Sequence, residues 1–300
     1  MRIAITGASG FIGTPLAERL RGGGHEVLSI GRAKSSGAQP DIVWDAETTL
    51  DATRLEGIDA VVHLAGESIA QRWTDDARQA ILDSRRKGTL LLAKTLASLA
   101  RKPAVLLSVS AIGIYGNRGD ELLDEGSDTG TGFLPDVARL WEASADPARD
   151  AGIRVVHPRL GIVLHPAGGA LGKMVPIFSL GVGGRIGEGT QWMSWISRTD
   201  TIRAMEFLLS ASGATGAFNL TAPAPVTNAE FTSALGHALG RPAVVPVPEF
   251  AIKLLYGAMG EATVIEGQRV LPKALVGAGF EFRHATLEAA LAHELASQAT

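Results

Sequence analysis

The sequence predicts an α/β fold, a Rossmann-like doubly wound parallel sheet joined to a smaller, mostly helical second lobe. Three observations predict it. The apolar run Arg2-Ile3-Ala4-Ile5 leads straight into Thr6-Gly7-Ala8-Ser9-Gly10-Phe11-Ile12-Gly13. Apolar runs of strand length then alternate with helical patterns through the first half of the chain, as parallel sheets covered by helices require. Beyond about residue 166 the alternation gives way to a glycine-rich stretch, a proline-punctuated segment and helical patterns.

The first element carries most of the functional information. A buried strand followed by a glycine turn and a helix is the device that holds a dinucleotide pyrophosphate. In it Gly7 permits the tight turn, Gly10 lets the backbone approach the phosphates, and Gly13 lets the helix pack on the strand. Ser9, Phe11 and Ile12 complete the phosphate-facing turn. The spacing is G-x-x-G-x-x-G. Ile12, Leu16 and Leu20 repeat at helical spacing, and Gly22-Gly23-Gly24 ends that helix before the strand Glu26–Ile30. The alternative is a bare structural turn.

The next elements follow from the same logic. Asp59–Leu64 reads as a buried strand. Thr74 caps a long helix to about Ala100, with Asp75 and Asp76 complementing the dipole of its first turn. Ala104–Val109 is a further strand, a helix spans about Asp136–Asp146 with Pro147 ending or kinking it, and Ile153–Pro158 is a strand. From Gly168 to Gly189 the chain is either a flexible lid or a packed loop. Thr227-Asn228-Ala229-Glu230 is a capping box opening a helix to about Leu239, and Arg241–Pro248 is extended. We expect a first domain over residues 1–165, to which segments around 190–220 return, and a substrate lobe over 166–300 with a C-terminal module at about 245–295.

Composition narrows the function classes. The 300 residues are 46% hydrophobic and 20% charged, with a net charge of −3 and no basic run, which argues against nucleic acid as a partner. Cysteine is absent, so disulfides, thiolate metal sites and a cysteine nucleophile are excluded. No apolar stretch is long enough to span a membrane, and the N-terminus enters a strand at once. We expect a cytoplasmic protein with no membrane partner. The seven histidines form no metal-binding pair, so no metal is expected, and His63 within an apolar run reads as a core residue.

The residues around the turn suggest the ligand. An NAD site usually carries an acidic residue about 20 positions beyond the glycines, on the ribose 2′-hydroxyl. Here Gly31 and Arg32 occupy that place, with Lys34 nearby. A guanidinium binds a 2′-phosphate that a carboxylate would repel, so NADP(H) is favoured over NAD. The bland reading of Arg32 is a surface residue after a strand. The small residues Ala65 and Gly66, following Leu64, would let the backbone lie along the cofactor, with Glu67 pointing into the cleft. Ser110 and Tyr115, after the strand Ala104–Val109, are candidate catalytic groups facing the nicotinamide, although a serine there is also a common turn residue.

These motifs together resemble the extended, or atypical, short-chain dehydrogenase/reductases, in the branch of epimerase-family proteins called family 39U. The resemblance runs from Thr6–Gly13 through Leu64–Ala70, Arg72-Trp73, Ser84-Arg85, Ser110–Gly113 and Trp141-Glu142-Ala143. It continues through Pro158–Leu164, Gly168–Ala170, Gln191-Trp192, Ser194–Ile196, Asn219–Pro223 and Glu266–Pro272. It implies Leu64, Ala65 and Arg159 near the nicotinamide half and Asp45 near the adenine. It also implies Arg85 facing the cofactor or an anionic substrate, and Glu67, Arg72 and Trp195 lining the cleft.

The wider superfamily acts through Y-x-x-x-K, in which lysine lowers the pKa of a tyrosine acid. With Glu142 taken as the glutamate four residues beyond that lysine, Ala138 and Leu134 stand where lysine and tyrosine would be. No tyrosine or lysine lies between Asp120 and Gly172. Three readings stay open: reduction of a small carbonyl substrate by NADPH with Tyr115 as acid, a non-catalytic NADP(H)-binding regulator, and a sugar-type epimerase. A homodimer through the long helix is compatible with all three.

Overall fold

A computed structural model describes residues 1–33, 38–45 and 48–296. Lys34 lies outside them. Among the described residues the main sheet has nine strands. Its spatial order is Gly216–Leu220, Arg154–Leu160, Val105–Ser108, Ala60–His63, Arg2–Thr6, Glu26–Gly31, Ile42–Asp45 and Thr49–Leu50, with Ser110–Ala111 also paired to Arg154–Leu160. Every pairing is parallel except that of Thr49–Leu50 with Ile42–Asp45. The order runs outward in both directions from Arg2–Thr6. The switch point therefore falls between Arg2–Thr6 and Ala60–His63, and the crevice opens beyond their carboxyl ends.

The two faces of the sheet can be read off the first strand. Ile3 and Ile5 point to one face, against Leu16 and Leu20 of the helix Gly13–Gly22 and Met205 and Leu208 of the helix Arg198–Ser210. Ala4 points to the other, against Leu92 and Leu96 of the helix Asp75–Ser98 and Ala148 of the helix Asp146–Asp150. With helices on both sides, all four residues of Ala60–His63 are buried, which is why this strand is a continuous apolar run rather than an alternation.

Local signals set several helix starts. The Thr74 hydroxyl accepts from the Ala77 amide at 3.2 Å, and Thr227 and Glu230 form the reciprocal capping box that opens Asn228–Leu239. Pro147 departs from expectation. The helix Phe133–Ala143 stops before it, and Pro147 lies in the first turn of the separate helix Asp146–Asp150, where its missing N–H costs nothing.

The smaller lobe has its own core, in which Leu171, Phe178, Trp195, Phe231, Leu235 and Leu291 are buried together. The glycine-rich stretch contains a helix, Gly169–Ser179, and then a packed loop. A Cβ on Gly184 would overlap the Val245 carbonyl oxygen, and the Val247 amide donates to the Arg185 carbonyl at 2.8 Å. Of the two readings of this stretch, the structure has the packed one.

The C-terminal residues are woven into both parts. Leu275 and Phe280 belong to the core of the main sheet. Arg269–Val270 pairs with Leu122–Leu123, and the buried Asp200 carboxylate accepts from the amides of Arg283 and His284 at 3.0 and 2.9 Å.

Candidate functional site

The glycine turn is shaped to hold something against its backbone. Gly7 has φ +68°, in the left-handed region, and a Cβ there would lie 3.2 Å from the Leu64 carbonyl carbon and the Ala65 amide nitrogen. A Cβ on Gly13 would overlap the Gly7 carbonyl oxygen, so only glycine lets the helix start this close to the strand. The Gly10 amide donates to Gly7 at 3.0 Å and closes the turn. No side chain caps the helix Gly13–Gly22, and no carboxylate stands in its first turn. Ser9 and Gly10 are exposed, and Phe11 and Ile12 half-buried. The result is an open helix N-terminus with its partial positive charge presented to the crevice.

Across the switch point, a buried polar link fixes the facing wall. Thr6 Oγ1 accepts from the amides of Leu64 and Ala65 at 3.0 and 3.1 Å and pairs with His63 Nδ1 at 2.7 Å. His63 Nε2 pairs with the Thr89 hydroxyl at 2.9 Å. Burial pushes the His63 pKa down to about 4, assisted by the Arg85 charge. His63 is thus a neutral core residue that ties the two strands and the long helix together.

At the end of the second strand, Gly31 is half-buried and Arg32 exposed. Asp45 ends Ile42–Asp45, exposed, and accepts from Thr48 Oγ1 at 2.8 Å. On the other side of the switch point, Gly66, Glu67 and Arg72 are exposed. Arg85 Nη1 donates to the carbonyls of Glu67 and Ile81 at 2.8 and 3.2 Å, and its guanidinium lies 4.8 Å from the Trp141 ring centroid. Burial brings its pKa down to about 10, against the pull of Glu67. A Cβ on Gly66 would meet this guanidinium at 3.3 Å.

The other site candidates are enclosed. Tyr115 is 0% exposed; its hydroxyl donates to Asn219 Oδ1 at 2.8 Å and accepts from Arg159 Nη1 at 2.9 Å. Arg159 is 8% exposed and forks onto both oxygens of Glu142, at 2.8 and 2.9 Å. Burial alone would raise the Glu142 pKa, but the fork overcomes it and holds the carboxyl below the usual range. Burial pushes the Tyr115 phenol above its ordinary value, against the Arg159 charge. Asn219 continues the chain to the Leu271 carbonyl at 3.0 Å, and its amide donates to Glu125 at 2.8 Å.

Three of the expected site residues are enclosed in this structure. Tyr115 and Ser110, expected beside the nicotinamide, present almost no surface: Tyr115 is 0% and Ser110 1% exposed. Trp195, expected along the cleft, is packed in the smaller core. It is 0% exposed, with Nε1 donating to the Ala224 carbonyl at 3.0 Å. Ala138 packs against Tyr115 in an apolar cluster, and Leu134 approaches Gly113, so the helix face that would carry a Tyr–Lys pair is a packing surface. Glu125 escaped the sequence reading, and Asn219 was read only as part of the resemblance, without a role; both join this network to the C-terminal residues. Their partners are 94 and 104 residues distant, and no local pattern announces them.

Among the described residues no cluster of metal-ligating side chains occurs, and no helix is long and apolar enough to cross a membrane. Residues 3–137 match the model of the NAD dependent epimerase/dehydratase family, and residues 247–294 match a domain of unknown function, DUF1731. An epimerase family protein of Mycobacterium tuberculosis is 43% identical over 293 residues, covering 97% of this chain and 96% of its own length. The human epimerase family protein SDR39U1 is 36% identical over 295 residues, 97% of this chain and 98% of its own. Its isoform 2, crystallised with NADPH, superposes with a TM-score of 0.90 at 34% identity, covering 98% of both chains. A nucleoside-diphosphate sugar epimerase of Corynebacterium glutamicum gives 0.81 at 34% identity, with 98% of this chain matching 58% of that one. By its crevice, its sheet order and its similarity over nearly its whole length, the chain belongs to the epimerase family that includes SDR39U1.

Proposed function

We propose that the protein binds NADP(H) and uses it to reduce a small carbonyl compound. The observation that carries this reading is the open glycine cradle followed, at the end of the second strand, by Gly31 and Arg32 instead of a carboxylate. The amides of the Ser9–Gly13 turn would hold the pyrophosphate, Arg32 the 2′-phosphate, Asp45 the adenine side, and Leu64, Ala65 and Gly66 the nicotinamide ribose. Human SDR39U1, crystallised with NADPH, supports the choice of cofactor.

When bound, the reduced nicotinamide supplies a hydride to the carbonyl carbon, and the oxygen takes up a proton. Glu67 and Arg72 line the exposed side of the crevice, and Arg85 holds the backbone at Glu67 in place. Tyr115 and Ser110 act in this reading as positioning residues, through the buried Arg159–Glu142 pair. The proton then comes from solvent, at a cost in rate of about 10²–10⁴ relative to a placed acid. Sugar-type epimerisation fits less well, because it needs a base where Leu134 and Ala138 stand. In the same reading the substrate is a small molecule, nucleic acid is not a partner, and the protein works in the cytoplasm.

The enclosure of Tyr115 favours a second reading, a non-catalytic NADP(H)-binding regulator. Titration with NADPH, followed by single-turnover oxidation across aldehydes, ketones, quinones and keto-sugars, separates the two. Tight binding with substrate-dependent oxidation supports the reductase. Tight binding with no oxidation supports the regulator, and absence of binding removes both.

A further inference from the structure

A second concave surface lies in the smaller lobe, and it shares no lining residue with the crevice. It is a groove of about 700 Å³ between the helix Asn228–Leu239 and the extended segment around Ala243–Pro246. That volume falls in the range of small-molecule sites. Its walls are fixed by backbone contacts. The Arg241 amide donates to the Gly236 carbonyl at 2.9 Å, and the Val245 amide donates to Gly183 at 3.2 Å. A Cβ on Gly236 would lie 2.8 Å from the Ala243 Cβ, so glycine brings helix and segment together.

The chemistry of the lining is one-sided. Ala229, Ala243, Val244 and Pro246 give it an apolar surface, and Val244 is 79% exposed. Arg185, Arg241 and His237 also line it, all exposed, and among the described residues no Asp or Glu does. No carboxylate lies within ion-pair distance of Arg185 or Arg241 among the described residues. The Thr232 hydroxyl in the wall is buried and has no hydrogen-bond partner, although Thr232 is only 3% exposed. Uncompensated guanidinium groups beside a fixed apolar surface match a ligand that carries one carboxylate on an apolar body. A preformed wall lowers the ordering cost of binding it.

We propose that this groove binds a small apolar carboxylate, seated on Ala243–Pro246 with its anionic end between Arg185 and Arg241. The proposal is independent of the cofactor reading.

The test is an amide NMR titration of the ¹⁵N-labelled full chain with octanoate, and with 1-octanol as the neutral counterpart, each with and without saturating NADPH. We expect saturable octanoate shifts confined to the helix Asn228–Leu239 and to Arg241–Val245, none of comparable affinity with 1-octanol, and no displacement by NADPH. The double variant Arg185→Gln/Arg241→Gln alters only exposed side chains and should weaken octanoate about tenfold or more. Four results would each overturn the proposal: no saturable binding, equal affinity for 1-octanol, indifference to the double variant, or competition with NADPH.

Discussion

Replacing Tyr115 by Phe separates a structural phenol from a chemical one. The substitution removes one oxygen from a site with no solvent exposure and leaves two polar groups stranded. Asn219 Oδ1 loses a donor at 2.8 Å, and a guanidinium N–H of Arg159 loses an acceptor at 2.9 Å. An unsatisfied buried group costs about 1–3 kcal/mol, with the charged partner at the upper end. Arg159 keeps its fork on Glu142 and Asn219 keeps the Leu271 carbonyl, so partial relaxation is available. The expected loss is about 2–4 kcal/mol, a large part of the stability of an ordinary domain. Urea unfolding should show a lower midpoint at unchanged slope, while NADPH affinity at low temperature stays within about twofold. If the phenol is instead the proton donor, stability should move by less than about 0.5 kcal/mol while turnover falls by about 10²–10⁴. An unfolding midpoint equal to that of the parent protein would refute the structural argument. A double-mutant cycle with Glu142→Gln should give a coupling of about 0.5–3 kcal/mol, since both residues bind Arg159.

Other expectations follow from the crevice and its buried supports. Arg32→Ala should weaken NADPH by about 10–100-fold while leaving NADH nearly unchanged, as loss of a charge-assisted phosphate contact predicts; parallel fluorescence titrations read the difference. Gly13→Ala forces a methyl into the Gly7 carbonyl and should cost about 1–3 kcal/mol in thermal unfolding, together with most of the NADPH binding. His63 has a folded pKa of about 4 against about 6.5 for an unburied histidine, so the unfolded chain binds the extra proton between those values. Its contribution to stability is therefore intact above about pH 6.5, falls as pH drops toward 4, and totals about 3 kcal/mol at most. NMR should show the His63 ring untitrated between about pH 5 and 7, and titration in that window would contradict its burial.

Local chemistry made part of this molecule legible in sequence. A hydroxyl three residues before an amide it can cap is visible in one dimension, and so Thr74 and Thr227 marked helix starts that the structure keeps. The glycine turn was legible because the strand before it and the helix after it are both encoded within a few residues. Pro147 misled because proline both ends a helix and suits the first turn of the next, and only the fold chooses. The helix Gly169–Ser179 was hidden by its glycines. Gly168 is there because a Cβ would meet the Phe11 ring at 2.6 Å, a contact across 157 residues. Tyr115 is one of two tyrosines in the sequence, and that rarity says nothing about what surrounds it. Its enclosure depends on Arg159, Asn219 and the C-terminal segment, brought together only by the sheet order.

Asn219, at the last strand of the sheet, also shows how the two matched regions relate. Its side chain donates to the Leu271 carbonyl, and Glu125 bridges its amide to the amide of Ala274. Phe280 fills the core under the helix Arg198–Ser210, and the buried Asp200 of that helix is satisfied by Arg283 and His284. A chain ending near residue 246 would leave these acceptors facing water and an open gap in the core. Two regions matched by separate family models therefore share one core and one set of buried hydrogen bonds, and calorimetry should show them unfolding in a single transition.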